Sequence, residues 1–531
     1  MAVSFPLDSS LAHGMASLLA NGGDSGGLSW IDVALIVVYL LATVVWGAWP
    51  QKGGRTDESY LVGGRDTAWY AVMLSIIATE TSTVTFLSLP GQTFAEGGDM
   101  SFLQITLGYV VGRLGVVWLM MPLYFSGKPF TAYELLRDRF GEGVRAASSV
   151  TFLLCRTVAD GLRLFLTALA LQQALGFDFA ACVLLIAIAT TIYATLGGVS
   201  SVVKNDCVQL VMYTAGAVVV LGLIAAGVPG GIGGVWSYAE ETGRLRVIDP
   251  SVGLFGGRVT FWSGLIGGAF LSLATHGVDH LMVQRYLCAR SQRSANLALA
   301  LSGPLVAAQF FLFLFIGAGL ACFYSVGTFE YAFDKPDQAL AAFIAHEAPI
   351  GVGGLLFAAV LAAAMSTLSS SLNASAGVLV KDLLTPLGRA TSSASAVRWA
   401  QAATVLFAIL QTGVALGSAA IGLANNNSVI SAVLAVAALT TGVLVGLFGL
   451  GFGVRTARTG AAYAALTVGF VVCGGIAAYG LAIDQGVAWF DGYEKLSWPW
   501  NPLIASVTTF VGGYVAHLVL GPAAAPADVA E

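Results

Sequence analysis

The sequence predicts an all-helical integral membrane protein with about thirteen transmembrane helices. Two observations support this fold class. Of the 531 residues, 57% are hydrophobic and only 10% are charged, whereas a soluble protein carries roughly 25% charged residues. The apolar residues also form runs of about 20, the length that an α-helix needs to cross a bilayer. A soluble protein of this size is therefore excluded.

Thirteen apolar runs follow one another along the chain. Their approximate bounds are 30–49, 67–91, 98–124, 146–174, 178–196, 206–228, 261–284, 297–325, 351–380, 397–416, 428–452, 460–483 and 502–521. Residues 1–29 contain no Lys or Arg, so they lack the positive segment of a cleaved signal peptide. We therefore interpret the first run as a span that is retained.

The positive charges between the runs predict the orientation. Alternate loops hold sixteen Lys and Arg residues on one side and five on the other, and the richer side faces the cytoplasm. This places residues 1–29 outside, the 229–260 loop outside and a tail of residues 522–531 inside, in a plasma membrane of the bacterial inner-membrane type. The net charge of -5, with no basic stripe, excludes a nucleic-acid partner. Membrane lipid surrounds the spans, and no obligate protein partner is evident.

The second span contains a polar and β-branched stretch, residues 78–85 (ATETSTVT), which is followed by Pro90 and Gly91. Such a stretch makes a poor continuous helix. If it unwinds, its backbone carbonyls become oxygen ligands for a monovalent cation, because unpaired backbone at membrane depth is tolerated where it lines a cavity. The alternative is that the hydroxyl groups bond to their own helix or to neighbouring helices.

The ninth span is also polar at its centre. Ser366, Ser369, Ser370 and Asn373 are spaced i, i+3, i+4 and i+7, so they share one helix face. Five hydroxyl groups in the six residues 366–371 are unfavourable at membrane depth unless they are satisfied. The pattern favours ion binding, and close helix packing through small polar residues is the alternative.

Four motifs join these two spans to other parts of the chain. They are residues 78–91 (ATETSTVTFLSLPG), 193–209 (YATLGGVSSVVKNDCVQ), 279–285 (DHLMVQR) and 357–382 (FAAVLAAAMSTLSSSLNASAGVLVKD). In this order and spacing they resemble the sodium:solute symporter family, over nearly the whole chain. The resemblance implies an inverted-repeat fold of the LeuT type, with repeats at 67–228 and 261–452. The first span 30–49 and the last two spans 460–521 are then peripheral.

The same resemblance implies a sodium site between the broken second span and the ninth span. By position, its ligands are the carbonyl oxygens of Ala78, Thr81 and Ala363 and the hydroxyl groups of Ser366 and Thr367. Neutral oxygens suit a hard cation of low charge.

A second sodium site occurs in some members of the family. Its matching positions here are Asp206, Ser366, Ser369 and Ser370. The alternative is that Asp206 only caps a helix, since it follows Asn205 and a Gly-rich turn. The resemblance therefore implies one coupled sodium ion, or two.

The resemblance also implies where the solute lies, at mid-membrane beside the break in the second span. The predicted contacts are Glu80, Ser82 and Thr85 on the second span, Gln104 on the third and Ser272 on the seventh. These positions resemble the contacts of sialic-acid-type members, although Glu80 stands where a hydroxyl residue is usual. Val306 and Val433 stand where sugar-carrying members have lysine and glutamine, which argues against a hexose.

Charged residues also lie inside the third and fourth spans. Arg156, Asp160 and Arg163 are spaced i, i+4 and i+7 along one face of the fourth, and intramembrane charge indicates function. Arg156 and Arg163 are both candidate solute contacts, and if Arg156 pairs with Asp160, Arg163 is free to bind a carboxylate. The alternative is an internal cluster that is paired with Glu80 or another acid. Arg113 on the third span is expected to extend toward the cytoplasmic surface.

These features predict a sodium-coupled secondary transporter that imports a small organic solute by alternating access. A carboxylate-bearing or sialic-acid-like solute is preferred over a neutral hexose, and Na⁺ is the expected cofactor. No nucleophile with a matching base is present, which argues against an enzyme. A passive facilitator or channel remains an alternative, and so does a solute-sensing receptor. A facilitator would ignore sodium, whereas a receptor would carry or contact a signalling module.

Overall fold

The computed structural model describes residues 28–49, 56–127, 129–329, 331–333, 335–421, 429–484 and 487–522. The α-helices in these ranges are α1 Trp30–Ala48, α2 Asp57–Val62, α3 Trp69–Glu80, α4 Thr83–Phe94, α5 Ile105–Leu119, α6 Met121–Ser126, α7 Glu134–Phe140, α8 Glu142–Leu175, α9 Phe179–Gly227, α10 Gly231–Glu241, α11 Gly268–Gly277, α12 His280–Leu287, α13 Gln292–Val326, α14 Ala339–Glu347, α15 Val352–Val378, α16 Ser393–Ala420, α17 Val429–Gly453, α18 Thr459–Asp484 and α19 Asn501–Leu520. Residues 1–27 and the tail 523–531, for which the sequence predicts opposite sides of the membrane, lie outside the described residues.

Each predicted span coincides with helical segments, which confirms the all-helical fold class. By length and apolar composition alone, eight helices of the described part qualify as membrane spans, or nine if the bent pair α3 and α4 is one span. The total of about thirteen spans stays a prediction, and so does the division into two repeats.

The predicted interruption of the second span is present. Helix α3 ends at Glu80, and α4 begins at Thr83 with a bend of 61° between the two helices. Thr81 and Ser82 between them are extended, with φ/ψ of -84°/98° and -96°/175°. Because the last four carbonyl groups of a helix have no following N–H to accept from, this break leaves polar backbone for other partners at the centre of the protein.

A second break lies within α9. The sequence predicts separate spans at 178–196 and 206–228, and α9 consists of two helical segments that meet at a kink at Gly198, whose backbone is not helical. Gly198 has a φ of +64°, and a Cβ there would lie 2.8 Å from the carbonyl oxygen of Tyr60. Glycine is therefore required at this close approach.

Helix α15, which carries the predicted sodium-binding hydroxyl groups, lies at the centre of the bundle. Nearly all of its residues are buried, and it packs against α9, α16, α1, α8 and α3. Asp32 of α1 caps its beginning, since its Oδ1 accepts from Gly351 N at 2.8 Å and from Gly354 N at 2.7 Å. The first helix is thus bonded to the end of α15 that would otherwise leave free N–H groups.

Candidate functional site

A cavity of about 180 Å³ lies beside the break between α3 and α4. Six of the seven predicted solute contacts border it: Glu80, Ser82, Thr85, Arg156, Arg163 and Ser272. Further polar residues on its wall are Thr79, His276 and Thr367, and aromatic residues on its wall are Phe102, Tyr109, Phe310 and Trp498. The cavity therefore has both a charged and an aromatic part.

The structure does not bring Gln104, the seventh predicted contact, to this cavity. Its side chain is buried and forms hydrogen bonds with protein groups. Its Nε2 donates to Ser101 O at 3.0 Å and to Val259 O at 3.1 Å, and its Oε1 accepts from Asp249 N at 3.0 Å. Gln104 therefore ties the loop before α11 to the start of α5.

Glu80, the last residue of α3, forms a buried ion pair. Arg113 of α5 donates to Glu80 Oε2, and His276 Nε2 of α11 lies 3.7 Å from the same oxygen. The expectation that Arg113 extends toward the surface is wrong, because its side chain is buried. A carboxylate that is unpaired at membrane depth is strongly unfavourable, so pairing with Arg113 prevails over snorkelling.

The charges of α8 form an internal cluster that still borders the cavity. Arg156 donates to both oxygens of Asp160 at 3.4 Å and also to Asp279 Oδ2, and Arg163 donates to Asp160 Oδ1. The acids of the cluster are thus Asp160 and Asp279, whereas Glu80 pairs elsewhere. The sequence left two interpretations open, an internal charge cluster and a carboxylate-binding site. Both fit the structure, since Arg156 and Arg163 are paired internally and also line the cavity.

The predicted ligands of the first sodium site come together where α15 crosses the end of α3. Ser366 Oγ donates to Ala78 O at 2.7 Å and to Ala363 O at 3.4 Å. Thr367 Oγ1 donates to Thr79 O at 3.0 Å and lies 3.5 Å from Ala363 O. This set of neutral oxygens fits a monovalent cation.

Thr81, the remaining predicted ligand, lies in the break itself. Its hydroxyl group donates to Gln309 Oε1 of α13 at 2.7 Å, whereas the predicted sodium ligand is its backbone carbonyl oxygen. Its buried side chain thus anchors the break to α13.

The residues predicted for the second sodium site surround a buried carboxylate. Asp206 Oδ2 accepts from Ser75 Oγ at 2.5 Å and lies 3.4 Å from Arg285 Nη2, and that guanidinium also donates to Ser370 Oγ. Asp206 Oδ1 is buried and has no hydrogen-bond partner among the described residues. A buried oxygen of this kind calls for a compensating group, and a cation is one. Ser369 is turned along its own helix, where its hydroxyl donates to Ser366 O at 3.2 Å.

The cavity wall also contains residues that are absent from the set of contacts predicted from the sequence, among them Thr79, His276 and Trp498. Thr79 directly precedes the predicted contact Glu80 in the broken second span, and His276 lies one helical turn after the predicted contact Ser272. Asp279 opens α12, where its Oδ1 accepts from Leu281 N at 2.9 Å while its Oδ2 pairs with Arg156. No signal in the sequence indicates Trp498, because it comes from a segment between peripheral spans.

A family model, two relatives and one solved structure are similar to this chain. A model described as the sodium:solute symporter family matches residues 60–469. The sodium-dependent multivitamin transporter of Oryctolagus cuniculus is 29% identical over 499 residues, which cover 91% of this chain and 76% of the relative. The sodium-coupled monocarboxylate transporter 1 of Homo sapiens is 31% identical over 450 residues, which cover 83% of this chain and 72% of the relative. A solved structure of a substrate-bound, outward-open Na⁺-coupled sialic acid symporter has a TM-score of 0.78 and 26% identity, and the match covers 93% of this chain and 99% of that chain.

Proposed function

Because the chain belongs to the sodium:solute symporter family, we propose that it carries a compact carboxylate together with sodium. The family consists of sodium-coupled transporters, which are not enzymes, so this chain is a multi-pass membrane transporter with Na⁺ as its coupling ion. The solute, its ligands, the direction of transport and the orientation of the chain are parts of the proposal.

The observation that carries the proposal is the guanidinium group of Arg163 on the cavity wall. Its side chain is 18% exposed, whereas the carboxylate of Asp160 behind it is fully buried. A guanidinium has five N–H donors in a planar fork. Since Asp160 uses one of them, the others are available to a carboxylate in a two-point contact.

The balance of charge around the cavity favours an anion that binds with sodium. Three guanidinium groups, those of Arg113, Arg156 and Arg163, are paired with three carboxylates, those of Glu80, Asp160 and Asp279. A single additional charge in this buried region is unfavourable. A monocarboxylate and one sodium ion together add no net charge, so each makes binding of the other more favourable.

The size of the cavity supports a compact solute. Its volume is about 180 Å³, and an apolar cavity of about 150 Å³ holds benzene. A carboxylate with one ring or a short chain matches this volume. The human relative, named as a monocarboxylate transporter, supports this class. The similar solved structure of a Na⁺-coupled sialic acid symporter supports a second candidate, a larger sugar acid, which shares the carboxylate group.

Coupling follows from the position of the ion ligands next to the solute cavity. Thr367 donates to Thr79 O, and both residues also border the cavity. An ion held between α3 and α15 stabilises the broken span in the shape that forms this wall. One Na⁺ and one monocarboxylate cross without net charge, so the sodium concentration gradient drives their uptake and the membrane potential does not. A second Na⁺ would add about 2.3 kcal/mol at a potential of 100 mV. Opening of the opposite side separates α3 from α15 and releases the ion, which completes alternating access.

Uptake into proteoliposomes tests the proposal. We expect propionate, benzoate or a sialic acid to enter only with an inward sodium gradient. Arg163→Gln should lower the apparent affinity about 10- to 150-fold, because hydrogen bonds to charged groups contribute about 1.5–3 kcal/mol. Arg137→Gln is the matched control, since that side chain is 40% exposed and pairs with Asp138 outside the cavity.

Three outcomes would contradict parts of the proposal. Equal uptake without sodium would indicate a facilitator. Unchanged carboxylate affinity in Arg163→Gln would remove this arginine from the solute site. Uptake of galactose in place of the acids would exclude a carboxylate substrate.

A further inference from the structure

One cavity residue comes from beyond the part of the chain that matches the family model. Trp498 borders the cavity, whereas the match ends at residue 469. It opens a 3₁₀ helix, Trp498–Trp500, that directly precedes α19. A segment between two peripheral spans thus contributes to the wall of the solute cavity.

Trp498 belongs to a group of aromatic rings, which we call the aromatic collar: Phe102, Tyr109, Phe310 and Trp498. The rings of Trp498 and Phe102 are stacked, with centroids 6.2 Å apart and an interplanar angle of 28°. Phe310 of α13 lies 6.0 Å from Phe102 and 6.2 Å from Tyr109, again between centroids. All four rings border the same cavity as the guanidinium of Arg163.

Backbone hydrogen bonds hold the Trp498 segment against the loop before α11. Ser497 N donates to Leu254 O at 2.9 Å, and Gly256 N donates to Lys495 O at 2.9 Å. The indole Nε1 of Trp500 donates to Gly253 O at 3.0 Å. The segment and the loop therefore pair like two short strands, and this pairing fixes the position of Trp498.

The loop is in turn fastened next to Phe102. Gln104 bonds the loop at Asp249 N and Val259 O, and Arg258 pairs with Asp99 at 3.1 Å. Phe102 lies between Asp99 and Gln104 in the chain. Both stacked rings are thus supported by the same loop, so the collar is a preorganised wall.

We propose that Trp498 contacts the solute and selects carboxylates that carry a planar ring. This inference rests on the proposed carboxylate transport. A carboxylate bound to Arg163 leaves its other end in a cavity whose wall includes the four rings of the collar. A ring at that end stacks on the collar, because aromatic pairs attract beyond the effect of buried area. A short-chain carboxylate has no ring to stack on the collar, so Trp498 adds little to its affinity.

The experiment compares sodium-driven uptake of benzoate and of propionate by wild type, Trp498→Ala, Trp498→Phe and Trp489→Ala in proteoliposomes. Trp489 is the matched control, since it lies nearby in the chain and is 90% exposed. We expect Trp498→Ala to raise the half-saturating benzoate concentration about five- to tenfold. The half-saturating concentrations of propionate and of sodium should change less than about twofold. Trp498→Phe should retain most of the benzoate affinity, and Trp489→Ala should match wild type.

The other outcomes separate failure of this inference from failure of the proposed function. If Trp498→Ala weakens both acids equally, or neither, Trp498 does not select for a ring, and carboxylate transport stands. If wild type takes up neither acid in sodium, this inference fails, and the proposed function fails with it when sialic acid is not taken up either. If Trp498→Ala does not fold, Trp498→Leu replaces it, and an unchanged ratio of benzoate to propionate affinity in Trp498→Leu overturns the inference.

Discussion

Loss of the Ser366 hydroxyl group should weaken sodium binding far more than it destabilises the fold. In the structure, this hydroxyl joins the two helices of the proposed site, because its Oγ lies 2.7 Å from Ala78 O of α3 and 3.4 Å from Ala363 O of α15. Ser366→Ala removes one oxygen from the proposed ligand set and leaves the backbone carbonyls in place.

The expected magnitudes differ for the ion and for the fold. A contact between a polar group and a charge contributes about 1.5–3 kcal/mol, which corresponds to a roughly 10- to 150-fold higher sodium concentration at half-maximal uptake. The lost hydrogen bond to Ala78 O contributes about 0.5–1.5 kcal/mol to folding, out of a typical total of about 5–15 kcal/mol. The variant should therefore fold and insert.

The assay measures initial uptake rates in proteoliposomes at a fixed solute concentration. Sodium is varied against choline, and the membrane potential is clamped. The matched control is Ser371→Ala on the same helix. Ser371 is equally buried, but its hydroxyl accepts from Gln411 Nε2 of α16 at 3.1 Å. The control should lose a similar amount of stability, with a sodium dependence within about twofold of wild type.

Two results would refute this reasoning. If Ser366→Ala folds and its sodium dependence equals that of wild type, the hydroxyl does not bind the ion. If Ser371→Ala shifts the sodium dependence as much as Ser366→Ala, the shift reports a general distortion of α15 and not a lost ligand.

Two further predictions concern the buried charges. Asp206 Oδ1 is buried without a partner in the described part of the chain, so we expect a second sodium ion there. Reversal-potential measurements should give about two Na⁺ per solute in wild type and about one in Asp206→Asn, and one Na⁺ per solute in wild type would exclude a second coupled ion. Glu80→Gln leaves Arg113 buried beside a neutral group, so thermal unfolding in detergent should show a loss of about 3–5 kcal/mol. The double variant Glu80→Gln with Arg113→Gln should recover part of the lost stability. A Glu80→Gln variant as stable as wild type would contradict the pairing of Glu80 with Arg113.

Local composition predicted the interruption near Thr81 because the cause is local. Hydroxyl and β-branched residues disfavour a continuous helix at that place, and the observed bend of 61° lies between Glu80 and Thr83. The i, i+3, i+4 spacing on α15 likewise predicted which hydroxyl groups share a face, since helix geometry alone decides it.

Pairing of the charged residues could not be predicted in the same way. The sequence indicated that Arg156, Asp160 and Arg163 share a face, but Arg156 also reaches Asp279, which is 123 residues away. Arg113 and Glu80 are 33 residues apart and lie on different helices. Such pairs depend on how helices are arranged relative to one another, and the pattern within one helix does not contain this information.

The sequence by itself determined the class of fold, the family and the residues that surround the break, because hydropathy, helix periodicity and motifs are properties of continuous segments. Only the tertiary structure decided that Gln104 bonds the loop before α11 and that Trp498 borders the cavity. Both placements result from long-range packing of that loop against α5 and against the segment before α19. The free energy of such contacts arises only when distant parts of the chain meet.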